Sequence, residues 1–141
     1  MDNRVIAAYQ QLGFKLVVDP SVNYSGYFDA RSRSITMKQI DDSVYHELGH
    51  FLAFIAGNAD KTASFQSIFA TEKANVTAFN KAYVTQNASE YFAESVKDYI
   101  LNNASLKSTR PQTYAAVQNA LNQITDAQIA KIQKIYGPYW N

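Results

Sequence analysis

Cysteine is absent from the 141 residues, which removes disulfides, thiolate metal sites and cysteine nucleophiles together. The compartment stays open, because a chain without cysteine works in either redox setting. Histidine is scarce, with two in the whole chain. No run of basic residues stands out within a formal charge of +1, so nothing points to nucleic acid or an anionic membrane as partner. No apolar stretch is long enough for a membrane span, and Met1-Asp2-Asn3-Arg4 opens no signal-peptide core. Internal repeats, low-complexity tracts and interdomain linkers are lacking as well. The chain is instead rich in apolar and aromatic side chains: 47% hydrophobic, with ten tyrosines and eight phenylalanines. That content suits a single packed domain over 1–141, expected to be a monomer, with a groove for a polymer.

Both histidines fall in one motif, Tyr45-His46-Glu47-Leu48-Gly49-His50-Phe51. Helical spacing sets His46 and His50 one turn apart on one face, where their imidazoles converge on a cation. Glu47 stands beside them, in reach of a metal-activated water whose proton it can take. Asp41 or Asp42 caps the helix, Gly57 ends it, and Val44, Leu48, Phe51, Leu52 and Ile55 make its apolar stripe. Gly49 costs about 1 kcal/mol against alanine inside a helix and therefore needs a packing or functional reason. The motif indicates a site for one zinc ion of the peptidase kind.

Around this helix the chain reads as α+β. Residues 1–40 hold a helix over 4–12, closed by Gly13, and a small, mainly antiparallel sheet built from 14–18, 27–29 and 34–37. Residues 41–57 are the motif helix. Residues 58–141 are helical: near 64–75, over 88–101 with Asn87 as cap, and from Pro111 through Tyr114, Val117, Leu121 and Ile124. Thr125 and Gln128 form a capping box for a last helix that Gly137-Pro138 ends. Tyr24 to Phe28 is the candidate for an exposed strand edge to which an extended peptide adds, with Gly26, Tyr27 and Phe28 as contacts. An ordinary core hairpin is the competing reading of that stretch.

A catalytic zinc needs three protein ligands and an open position, so the third ligand must be a carboxylate. Ala53 and Ala56 exclude the extended three-histidine pattern. Ser89-Glu90-Tyr91-Phe92-Ala93-Glu94 supplies two glutamates one turn apart, one to bind metal and one to hydrogen-bond a ligand histidine. Glu90 ranks first as ligand, Glu94 second, and Glu72, 22 residues beyond His50, third.

His46-Glu47-Leu48-Gly49-His50, then Tyr83, then Glu90-Tyr91-Phe92-Ala93-Glu94-Ser95 resembles the anthrax lethal factor catalytic domain and the related Pro-Pro endopeptidases. That family pairs H-E-x-x-H with a later E-[YF]-F-A-E helix, preceded by a tyrosine seven residues earlier. The likeness extends to Phe65, Ile68-Phe69 and Glu72-Lys73, and to Leu106-Lys107, Pro111 and Thr113-Tyr114, covering the chain from about Tyr27 onward. The resemblance implies a zincin-like fold and a secreted zinc endopeptidase acting on a peptide or protein. It implies His46, His50 and Glu90 as zinc ligands, Glu47 as base, Tyr83 as stabiliser of the tetrahedral intermediate and Glu94 as support for a ligand. Two alternatives stand: a peptide-binding module that keeps its zinc without turnover, and the enzymatic part of a larger secreted, toxin-like protein.

Overall fold

The computed structural model describes residues 1–140. Helix α1 (Asn3–Gln11) starts where the Asp2 carboxylate accepts the Arg4 N–H, and stops at Gly13, whose φ of +78° carries the chain round into the sheet. Strands β1 (Lys15–Val18), β2 (Gly26–Asp29) and β3 (Ser34–Met37) follow. Helices α2 (Ser43–Ile55), α3 (Ala63–Glu72), α4 (Lys81–Val84), α5 (Ala88–Leu101), α6 (Asn103–Thr109), α7 (Pro111–Asn122) and α8 (Asp126–Trp140) complete the chain. The architecture is α+β, a small sheet ahead of a helical body. Among the described residues no helix is long and apolar enough to cross a membrane.

The sheet departs from the antiparallel expectation. Its order is β1-β3-β2, with β1 parallel to β3 and β2 antiparallel to it. The β2–β3 turn is a local hairpin, supported by Asp29 Oδ1 accepting the Arg31 N–H and by Arg33 at a φ of +54°. The segment 19–25 instead carries the chain from one edge of the sheet to the other, so β1 meets β3 by a crossover. Strand β3 is central and buries Ile35 and Met37, while β2 is an edge.

The last helix also differs. It continues through Gly137-Pro138 to Trp140. Proline there removes one hydrogen bond from the final turn. Tertiary anchoring offsets that loss: Trp140 Nε1 donates to the Ala30 carbonyl at 2.9 Å, and its ring lies against Phe14 and the Arg33 guanidinium. Half of the expected capping box forms. Thr125 Oγ1 accepts the Gln128 N–H, but the Gln128 amide donates to the Ile55 carbonyl and so satisfies the end of α2. Helix α6 has no sequence signature, because Leu106 is its one buried apolar residue and yields no periodicity.

The core sits where α2 lies on α5. Phe51, Leu52 and Ile55 from α2 and Phe92 and Val96 from α5 are 0–2% exposed. Gly49 explains itself at this crossing. A Cβ there would stand 2.6 Å from the Ala93 carbonyl oxygen, 2.8 Å from Ala93 Cα and 3.0 Å from Val96 Cβ. Two of these atoms are helix backbone and cannot turn aside. Gly49→Ala is therefore expected to lower stability despite gaining about 1 kcal/mol of helix propensity, because overpacking typically costs about 1–3 kcal/mol. A thermal melt beside a metal titration checks this: both stability and affinity should fall together, and a more stable variant would show that the helices have room to spare.

Candidate metal centre

Two helix caps and one close crossing place the chemistry. On α2, Asp41 Oδ1 accepts the Ser43 N–H at 2.9 Å, while Asp42 makes no capping bond. On α5, Asn87 Oδ1 accepts the Glu90 N–H at 2.8 Å and so fixes the register of the glutamates. With Gly49 admitting α5, His46 and His50 face Glu90 across the interface. Their Nε2 atoms each lie 3.0 Å from an oxygen of the Glu90 carboxylate. One ligand atom from each of the three residues falls within 4.8 Å of the other two.

The donor set fits a divalent cation that takes nitrogen and oxygen ligands. Two imidazoles and one carboxylate converge, and one of them, His46, also borders a cleft. Glu94 strengthens the fit, since His46 Nδ1 donates to Glu94 Oε1 at 2.9 Å. That bond fixes the ring orientation and directs Nε2 into the cluster. The Phe28 ring lies parallel to that of His50, with ring centroids 6.4 Å apart and planes 16° apart.

Electrostatics follow from this crowding. Burial opposes the charge on Glu90, but hydrogen bonds from His46 and His50 overcome it and hold its carboxyl well below the ordinary range. Burial likewise opposes a charged His46, yet the Glu90 and Glu94 carboxylates raise it to about 9. Burial pushes the Glu47 carboxyl up, against the pull of His46 and His50.

Glu47 is buried beside β2. A Cβ on Gly26 would stand 2.8 Å from Met37 Sδ, 2.9 Å from Glu47 Cγ and 3.2 Å from its Oε2, so glycine lets the strand lie close over both side chains. Gly26 also lines a cleft of about 370 Å³ with Tyr24, Ser25, Ser43, His46, Glu47 and Tyr83. Of the other two expected strand contacts, Tyr27 is exposed, whereas Phe28 is taken up between Phe14 and His50. Tyr83 stands over the cleft on α4, its ring 6.4 Å from that of His46. Burial and the Glu90 charge push its phenol upward, which keeps it a hydrogen-bond donor.

Glu72, the third-ranked ligand, has different work. Its carboxylate accepts the Thr113 N–H at 2.8 Å, the Thr113 hydroxyl at 2.7 Å and the Gln112 N–H at 3.1 Å, anchoring the start of α7. Sequence reasoning overlooked Ser43, Asn80 and Lys97 on the cleft wall. Lys97 had a signal, since it follows Glu94 by three on one helix face.

Comparison with known proteins bears on the same residues. A Pro-Pro endopeptidase of Clostridioides difficile (strain 630) is 41% identical over 78 residues, covering 52% of this chain and 34% of that protein. The chain thus spans about a third of the length of that curated relative. A sequence model described as "Anthrax toxin lethal factor, N- and C-terminal domain" matches residues 22–120, a stretch that holds the whole cluster from His46 to Glu94. The chain belongs to the anthrax toxin lethal factor family.

Proposed function

We propose that this chain is a zincin-like, zinc-dependent endopeptidase domain that hydrolyses peptide bonds within a peptide or protein. The observation that carries the reading is the convergence of His46, His50 and Glu90 with Glu47 buried alongside and a cleft in front. A zinc held by His46, His50 and Glu90 would supply Lewis acidity and bring the pKa of a water to about 7. Glu47 accepts the proton of the attacking water and passes it to the leaving amine. The Tyr83 hydroxyl donates to the oxygen of the carbonyl under attack, where negative charge develops. Glu94 keeps the His46 ring in place through Nδ1. The free edge of β2, with Gly26 at the cleft, offers main-chain groups to an extended substrate. Work outside the cell is proposed on family resemblance alone.

Mass-spectrometric cleavage profiling of a diverse peptide library, proline-rich sequences included, tests the proposal on zinc-loaded protein. Cleavage that chelation abolishes and zinc restores is expected. Bound zinc without any cleavage would overturn the endopeptidase and favour a peptide-binding module. Tyr83→Phe is expected to lower kcat by about 10²-fold, as loss of one oxyanion donor does, with zinc affinity and KM little changed. Unchanged kcat would make Tyr83 a wall residue only.

A further inference from the structure

A second cleft, of about 390 Å³, adjoins the first, between the 75–80 segment and helices α5 and α6. Asn80, Glu94 and Lys97 line both, so the two clefts meet along these side chains. The far part is walled by amides and hydroxyls, among them Asn75, Thr77, Asn102 and Ser105, and fully exposed Phe79 stands at its rim. Its other charges are matched: Arg110 donates to Asp98 Oδ2 and to Ser95 Oγ.

Lys97 is different. Its nearest carboxylate oxygen, Glu94 Oε2, is 4.0 Å away, at the outer limit of an ion pair, while the other Glu94 oxygen is engaged by His46. Among the described residues its ammonium makes no hydrogen bond, and its side chain lines both clefts. Lys97 lies seven residues along α5 from Glu90, a rise of about 10 Å, which an extended peptide covers in about three residues.

We propose that the groove holds an extended peptide running from the His46–His50–Glu90 centre past Lys97 into the second cleft, with Lys97 selecting a carboxylate about three residues from the cleaved bond. The proposal rests on the endopeptidase reading above. The carboxylate is the side chain of an aspartate or glutamate in a chain that continues; the free end of a short peptide would present the same chemistry.

Matched fluorogenic peptides separate these cases. Glu, Gln or Lys is placed two to four residues from the cleaved bond on either side, in peptides that continue or that end there as free acid or amide. The zinc-loaded protein is expected to favour Glu over Gln by about fivefold in kcat/KM at one such position, the size of one partly exposed ion pair. Lys97→Gln should abolish the preference, and Lys97→Glu should reverse it in favour of Lys. Ser105→Trp, which fills the second cleft from an exposed helix position, should slow the continuing peptides selectively. Fluorescence anisotropy with the same peptides on zinc-loaded Glu47→Gln reads the preference as Kd, apart from turnover. Cleavage without charge preference overturns this inference and leaves the peptidase standing. Binding preference without any cleavage overturns the peptidase and supports the groove. A preference confined to peptides ending in a free carboxylate overturns the path into the second cleft.

Discussion

Glu47→Gln should cleave peptides about 10³-fold more slowly than the parent while binding zinc as tightly. Glutamine keeps the length and shape of the side chain, so it still fits beside Gly26, where a Cβ would crowd Glu47 Cγ and Oε2. What is lost is the proton acceptor and its charge, while the three converging ligand groups are untouched. Glu47 is not among the three converging ligand groups, and those are held by other contacts: His46 by Glu94, and the start of the Glu90 helix by Asn87. Single-turnover hydrolysis of one defined peptide, with zinc content measured on the same sample, checks the expectation. Retained activity would remove Glu47 from its role as base; lost zinc would make it part of the metal's support. Gln also isolates the two functions better than Ala, because truncation would leave a hole beside β2 and let the strand settle.

The parts of this site legible in the sequence are those whose geometry one helix determines. His46 and His50 share a face because four residues make a turn, Glu90 and Glu94 do so for the same reason, and Asn87 announces its cap from its place before an apolar run. Sequence spacing ranks Glu90 first but cannot require that it meet both histidines. That meeting depends on the α2–α5 crossing at Gly49, whose constraint lies in the distant Ala93 backbone. The role of Gly26 is hidden for the same reason: its neighbour is the side chain of Glu47. The parallel pairing of β1 with β3 is illegible because four residues of apolar strand do not state their partner. Pro138 reads as a stop, yet the anchor that keeps its helix going is Trp140 on Ala30, a contact between distant parts of the chain. Local signals here predict elements, and non-local contacts decide how those elements meet.

Three glutamates that sequence alone could only rank should separate cleanly when each is changed to alanine. Structural zinc sites carry about 10–16 kcal/mol over four ligands, so one ligand is worth about 3 kcal/mol and Glu90→Ala should weaken zinc by about 10²–10³-fold or more. It also strips His46 and His50 of the carboxylate they share, leaving two imidazoles with less cause to converge. Glu94→Ala removes the bond that aims His46, an effect of about 10–100-fold on zinc. Glu72→Ala should leave zinc affinity unchanged and instead destabilise the fold by about 2 kcal/mol or more, because three donors at the start of α7 lose their acceptor. One of them, the Thr113 hydroxyl, also bonds the buried Tyr91 hydroxyl, so the damage extends into the core beneath α5. Competition for zinc with a chromophoric chelator, paired with thermal melts of the metal-free proteins, gives both axes for each variant. Glu90→Ala should stand out on the first axis and Glu72→Ala on the second. Zinc loss in Glu72→Ala with Glu90→Ala unaffected would move the third ligand to α3 and undo the site. A shared loss in Glu90→Ala and Glu94→Ala of equal size would instead mean that both carboxylates reach the metal, and that His46 is aimed by something else.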